Sequence, residues 1–469
     1  MTRFESVAEA IGGTPLIRLT KTGLRPRIYV KPEWYNPGGS VKDRAALSML
    51  RAAEADGLLR PGGTVVETTS GNTGIGLALY AAHLGYRSVI FTSSSISKEK
   101  RDLLVAHGAE LRLVDAFVPK SHPDSLKSVA ERFVASTPGA WLANQYDNPA
   151  NPAAHVASTG PEIWADTEGA VTHFVATVGT GGTISGTGRY LKGISGGRVR
   201  VIGADPATSS YSGGDGSQKF IEGAGHFVHP LADEDVWPQS LDLSVIDAYE
   251  SVTDAEAIAT IRDVARSEGL LAGGSSGVAL TAAFRLAATL TEEDTVVVLL
   301  PDSGRAYLST YYNDDWLLAN GFRAESGAVV GDLAAPLRAV GRTRTGASAA
   351  RELASVIAGD EPVAVLYGRP LPNAAPHHAD IAGWTTAARL AEADTAGAAA
   401  VATGVRLGAG EPVAAAAARA ASLDPDWQVA LVLDQGRVSG LVTRARLNAH
   451  RVATSGATAA ILAPKVATH

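Results

Sequence analysis

The stretch GGTVVETTSGNTGIGLALYAAHLGYRSVIFTS (62–93) decides the fold. GGTVVET (62–68) holds the β-branched run of a strand. GIGLALYAAHLG (74–85) is apolar over helical length and stops on a glycine, and SVIFTS (88–93) returns to a strand. Strand, helix and strand joined by short loops make a parallel unit, because the helix must carry the chain back across the sheet. Working outward, KEKRDLLVAHG (98–108) predicts a helix and AELRLVD (109–115) a strand. VTHFVATVG (171–179), ISGTGRYLKG (184–193) and VRVIGADP (199–206) repeat the alternation, and DTVVVLLPD (294–302) closes it. These strands are apolar on both faces, as in a sheet covered by helices on two sides. The region is α/β with a mostly parallel sheet.

A chain of 469 residues, 45% hydrophobic and 19% charged, can bury a large core in more than one domain. Its net charge of −7, with no block of like charge, argues against nucleic acid as a partner, since a phosphate-binding surface needs a basic patch. No apolar run reaches the roughly 18 residues of a membrane span. The opening MTRFESVAEAIGG carries acidic groups and lacks the apolar stretch of a secretory leader. A cytoplasmic protein with no membrane partner is expected. The absence of cysteine removes disulfides, thiolate metal sites and a cysteine nucleophile. The histidines lack HExxH-type spacing, so no metal site is expected. Near Ala324 the character changes: ESGAVVGDLAAP (325–336) reads as a linker, and an alanine-rich region follows. The expected domains are 1–325, α/β, and 326–469, a smaller α+β domain.

Four loops carry the chemistry. VGTGGTISG (178–186) follows a strand and opens a helix, so Gly179, Thr180, Gly181, Gly182 and Thr183 can converge backbone N–H groups on an anion at a helix start. A tight strand–helix turn is the plain alternative. ETTSGNTGIG (67–76) has the same logic, with Thr69, Ser70, Asn72 and Thr73 as donors that could grip a carboxylate or simply cap the helix. LLPDSGRAY (299–307) sets Ser303 beyond the last strong strand, where ligands of parallel sheets bind. WYNPGGSVKDRAA (34–46) starts a helix at Lys42 behind Pro37, Gly38, Gly39 and Ser40, as a surface lysine or an amine aimed into a pocket.

Together NPGGSVKDR (36–44), TSGNTG (69–74), GTGGT (179–183) and LLPDSGRAY (299–307) resemble, in order and separation, the signature loops of the β-family (fold type II) of pyridoxal-phosphate enzymes. That family includes cystathionine β-synthase and cysteine synthase, and the resemblance covers roughly residues 4–320. AAHVASTGPEIWAD (153–166) and NDDW (313–316) lean toward the cystathionine β-synthase branch, in particular its bacterial members, and YLST (307–310) toward cysteine synthases. The resemblance implies two open, mostly parallel α/β sheets and pyridoxal 5'-phosphate as cofactor. It implies that Lys42 binds the cofactor covalently and removes the α-proton of the substrate. Asn72 would hydrogen-bond the ring hydroxyl, 179–183 would cradle the phosphate, and Ser303 would face the pyridine nitrogen. Thr69, Ser70, Thr73 and Gln145 would hold the carboxylate of a small amino-acid substrate.

A neutral hydroxyl at the pyridine nitrogen favours loss of a β-substituent over transamination. The implied reaction is β-replacement on L-serine, or on O-acetyl- or O-phospho-L-serine, through an aminoacrylate. Homocysteine is the expected nucleophile, and a cysteine synthase or an enzyme using a non-thiol nucleophile is the alternative. IEGAGHFVH (221–229) departs from the EGIGYDF pattern usual in cystathionine β-synthases, with Ala224, Gly225 and His226 near the expected second-substrate region. His226 and His229 read there as solvated loop histidines, with substrate contact as the alternative. Relatives suggest a homodimer or homotetramer.

The C-terminal region resembles a degenerate pair of the β-α-β-β-α regulatory (CBS) domains, in DQGRVSGLVTRARL (434–447) and more weakly in IAGWTTAARL (381–390). Arg389 and Arg446 stand where nucleotide-binding members carry an aspartate, and arginine cannot accept hydrogen bonds from ribose. A dimer-contact role is the expectation, with regulation as the alternative. Two other classes carry less weight: a sensor with an inactive core, against the intact Lys42, Asn72 and Ser303, and an NAD-dependent dehydrogenase, against the missing third glycine at Ile184.

Overall fold

The computed structural model describes residues 3–450 apart from 70, 95, 355, 357–359 and 369–374. The chain divides into two compact units, Met1–Tyr312 and Asn313–His469. Residues 313–325, which the sequence reading joined to the first domain, fall in the second unit. There Gln435 N–H donates to Gly321 O (2.9 Å) and Glu325 N–H to Gly410 O (3.0 Å).

The strands of the first unit, in chain order, are β1 (Ile17–Arg18), β2 (Arg27–Pro32), β3 (Thr64–Thr68), β4 (Arg87–Thr92), β5 (Glu110–Leu113), β6 (Ala140–Leu142), β7 (His173–Thr177), β8 (Arg200–Pro206), β9 (Ala248–Val252) and β10 (Thr295–Leu300). They form two sheets. One runs β1-β2-β10-β7-β8-β9, parallel except for β1 against β2; the other runs β5-β4-β3-β6 and is parallel throughout. The six strands read from the sequence are all present. The apolar-both-faces reading holds for the central ones: β10 is buried at every position, while β5, at a sheet edge, is mostly exposed. In register, Val297 lies beside Phe174 and Val66 beside Val89.

The helices in chain order are α1 (Lys42–Ala55), α2 (Asn72–Leu84), α3 (Lys98–Ala106), α4 (Leu126–Ser136), α5 (Ala150–Ala154), α6 (Gly160–Asp166), α7 (Gly182–Ser195), α8 (Asp254–Ser267) and α9 (Gly274–Ala287). One core joins Phe174, Val178, Ile184, Leu191, Val201 and Leu299. A second packs Met49, Leu50, Leu77 and Tyr80, from α1 and α2, on Val65. Helix α2 stops as its sequence predicts, at Gly85 with φ 82°, a left-handed conformation that glycine adopts without a Cβ penalty.

The second unit repeats a β-α-β-β-α order. Strands Ala339–Gly341, Val363–Leu366 and Ile381–Thr385 form one sheet with helices Gly346–Ala354 and Ala387–Glu392. In the other half, Arg406–Gly408, Val429–Asp434 and Arg437–Thr443 pair with helix Val413–Leu423 and helical residues 444–450. A tight turn joins the last two strands: Gln435 (φ 46°) and Gly436 (φ 78°) both take the positive φ of a hairpin turn that follows strand twist. Each half has its own core, around Val340, Val363 and Leu390 and around Leu407, Val432 and Leu447.

Candidate active site

The loops leaving β3, β7 and β10 surround a cavity of about 410 Å³. Lys42, Thr69, Asn72, Thr73, Gln145, Gly179, Thr180, Gly181 and Thr183 all line it. Lys42 and the 179–183 loop, far apart in sequence, therefore meet at one cavity. At Gly182, in the same loop, an added Cβ would meet Asn151 Oδ1 at 2.1 Å. Ser70 lies outside the described residues.

Lys42 is the first residue of α1. The loop before it is tied down from both sides: Val41 N–H donates to Pro301 O (2.9 Å), and Gly38 N–H to Asp43 Oδ2 (2.5 Å). Gly38 leaves room for that carboxylate, which a Cβ would meet at 2.6 Å. Among the described residues the Lys42 amine has no hydrogen-bonded or ion-paired partner. Burial lowers its pKa to about 8, against a smaller opposing pull from Glu67. Glu67, fully buried on β3, is pushed up to about 7 by burial, although it accepts from Thr68 N–H (2.7 Å) and Gln145 N–H (3.1 Å). Behind Lys42, Arg44 is clamped by Glu33 (2.6 Å) and Glu162 (2.6 Å), and Lys31 also reaches Glu162 (2.9 Å).

Asn72 opens α2, and its Nδ2 donates to Asp302 Oδ2 (2.7 Å). Thr73 Oγ1 donates to Gln145 Oε1 (2.5 Å), which binds the two expected carboxylate holders to each other. In the glycine loop Gly181 has φ 86° and lies so close to Leu241 that a Cβ would meet its Cα at 2.5 Å. The loop lines the cavity at the start of the 14-residue helix α7, where the dipole favours an anion. Thr180 and Thr183 are held from behind by Asn151 (3.2 Å) and His155 (3.2 Å).

Ser303 follows Asp302, whose carboxylate holds Asn72, and it pairs with Ala272 in a β-bridge. Its hydroxyl caps the short helix Gly304–Tyr307, accepting from Arg305 N–H (3.3 Å), and donates toward Leu271 O (3.4 Å). A further serine, Ser275 in the first turn of α9, lines the cavity. His226 departs from expectation. It is 6% exposed rather than solvated, and it lines the cavity with Lys120, Tyr146, Lys219 and Glu222. His229 is buried too, but against Phe117 and Phe227 and off the cavity wall. Lys100, from α3, reaches the wall and is held by Glu222 (2.6 Å) and Tyr307 (2.9 Å). No helix of the described residues is long and apolar enough to cross a membrane.

Residues 7–302 match the family described as "Pyridoxal-phosphate dependent enzyme". The chain is 42% identical over 325 residues to cystathionine beta-synthase of Apis mellifera, covering 67% of this chain and 63% of that one. It is 42% identical to cysteine synthase 1 of Emericella nidulans, covering 68% and 87%. The chain thus spans just under two thirds of the length of the cystathionine beta-synthases it matches. The crystal structure of O-ureido-L-serine synthase superposes with a TM-score of 0.61 at 38% identity, over 68% of this chain and 100% of that one. From the match over residues 7–302, and from loops that meet at one cavity, the chain belongs to the pyridoxal-phosphate dependent enzyme family.

Proposed function

We propose that this protein catalyses β-replacement on L-serine or an activated L-serine, in the manner of a cystathionine β-synthase, with homocysteine as nucleophile. The observation that carries the reading is a buried amine, with its pKa lowered to about 8, lining the same cavity as a glycine loop at a helix start. The residues fit pyridoxal phosphate. Lys42 supplies an amine that is free to react, 179–183 supplies backbone donors for a phosphate, and Asn72 and Ser303 supply an amide and a hydroxyl for the ring. The bound cofactor supplies an electron sink for the α-carbon.

The chain's own groups do the rest. Thr69, Thr73 and Gln145 hold the substrate carboxylate, as does Ser70 in the sequence reading. Lys42 takes the α-proton once its amine is released, a role that suits a lysine titrating near the working pH. Ser303, as a neutral hydroxyl, leaves the ring nitrogen without the acidic partner that sustains transamination, so departure of the β-substituent is favoured.

A second reading is β-substitution with another nucleophile, as in a cysteine synthase or an enzyme with a non-thiol acceptor. It is favoured by the coverage of all of O-ureido-L-serine synthase and by His226 on the cavity wall. A homodimer or homotetramer in the cytoplasm belongs to the same proposal, as does a dimer-contact or regulatory role for the C-terminal unit.

Borohydride reduction of the protein loaded with pyridoxal phosphate should leave the cofactor on the peptide containing Lys42. Lys42→Ala should fold normally, stay colourless and lose turnover; a variant that still turns over would overturn the assignment. Serine, O-acetylserine and O-phosphoserine, each paired with homocysteine or sulfide and read by product mass, separate the two readings.

A further inference from the structure

The β-replacement reading leaves one cavity group unused. His226 lies in the loop that follows Ile221 and is fixed through its backbone, whose N–H donates to Ser209 Oγ (2.8 Å). Its ring leans on Tyr211 (centroids 5.0 Å apart), and Tyr211 meets Trp237 edge-on (5.0 Å). Nε2 lies 2.7 Å from Asp235 Oδ1, while the other oxygen of that carboxylate accepts from Trp237 Nε1–H (2.8 Å). Burial opposes the charge on Asp235, yet the Trp237 donor and His226 hold its carboxyl below the usual range, so it stays an acceptor. A carboxylate on Nε2 fixes the tautomer: Nε2 carries the hydrogen and Nδ1 the lone pair. Nδ1 has no hydrogen-bond partner among the described residues. The residue itself is on the cavity wall.

A base held by an oriented carboxylate, on a residue that lines a substrate cavity, is the arrangement that activates a nucleophile. We propose that His226 is the general base for the incoming nucleophile, positioned by Asp235, and that this nucleophile is a neutral molecule bearing an S–H, O–H or N–H. The inference rests on the β-replacement reading and adds the acceptor half to it. The X–H bond breaks, its proton goes to Nδ1, and its electron pair forms the bond to the substrate β-carbon from which the leaving group has departed. The α-carbon regains its proton from Lys42, and the imidazolium returns its proton to water. Lys120 and Lys219, on the same wall, provide positive charge beside the ionising acceptor. The groups whose charge bears on His226 are Lys120, Asp235 and Lys219. Burial, and then Lys120, lower its pKa, so the ring is neutral and able to accept at physiological pH.

The test compares acceptors in the holoenzyme. Homocysteine and hydroxyurea are neutral near pH 7 and need a base, whereas hydrosulfide at mildly alkaline pH is already an anion. Exchange of the α-hydrogen of L-serine with D₂O, followed by NMR without acceptor, reports the Lys42 half alone. His226→Gln should leave that exchange and the hydrosulfide rate within about twofold. Addition of a neutral acceptor should slow about 10²-fold or more, the range of lost general-base catalysis, and the pH–rate profile should lose its basic-group inflection. His226→Tyr, which fills the site with an aromatic ring, should behave alike, and Asp235→Asn should show the same pattern more weakly. Equal losses for neutral and anionic acceptors, no loss, or α-exchange falling in step would overturn the inference. So would a wild type that uses hydrosulfide but neither neutral acceptor. Absence of α-exchange in the wild type would instead remove the β-replacement reading, and this inference with it.

Discussion

At Lys42 two opposing effects set the proton on the amine. Burial moves its pKa from 10.5 to about 8, and the Glu67 carboxylate pulls it partly back. At pH 7 the free amine is then about a tenth of the population, against on the order of one in three thousand for an ordinary lysine. The rate at which cofactor-free protein captures pyridoxal phosphate should therefore climb with pH and level off above about 8. Glu67→Gln removes the charge that favours the ammonium, so the inflection should move down. Stopped-flow absorbance across pH checks both, and an inflection at the ordinary lysine value would refute the assignment of the shift to burial. Lys42, Asn72 and the 179–183 loop were legible in the sequence as polar and glycine residues at helix starts, and the structure gathers Lys42, Asn72, Gly179, Thr180, Gly181 and Thr183 at one cavity. Ser275 was passed over, because a serine in the first turn of a helix is a common cap and only the path of the chain shows that it meets the cavity.

At the level of elements, α1 and α6 are joined by buried charge. Arg44, 3% exposed, forms a two-sided clamp with Glu33 and Glu162, and Lys31 completes it. Arg44→Met would strand buried carboxylates and should cost about 3–5 kcal/mol in chemical denaturation. Burial alone would raise Glu162, but hydrogen bonds and charge from Arg44, helped by Lys31, take it down to about 2. Its folded pKa is thus depressed, so the stability it contributes is present above its ordinary value of 4.5 and is lost as pH falls toward about 2. Acid unfolding followed by circular dichroism should show this limb in the wild type, and a flatter one in Arg44→Met. Strands and helices were readable from periodicity, since the alternation of 2 and 3.6 residues is a local property. The clamp was not, because Glu162 lies far along the chain from Arg44 and nothing local marks the pair.

For the whole molecule, the second unit contributes a repeated β-α-β-β-α pattern whose ligand chemistry is tested apart from catalysis. Thr386 caps its helix at Arg389 N–H (3.4 Å) and Thr443 at Arg446 N–H (3.2 Å), while the Arg389 guanidinium stacks on Trp384 (5.1 Å). Arginine at both positions cannot accept a hydrogen bond from a ribose, so calorimetry with adenosine, AMP and S-adenosylmethionine should show no binding heat; saturable heat would restore nucleotide sensing. By itself the sequence determined the α/β class and the glycine loops that end its strands, since each depends on backbone preference and spacing within a few turns of chain. The tertiary structure alone decided which side chains meet. Strand β10 inserts between β2 and β7, and that sheet order brings loops from three distant segments to one cavity. It also turned His226 from a loop histidine into a buried imidazole held by Asp235, because burial is a property of the packed neighbours and is not encoded at the residue itself.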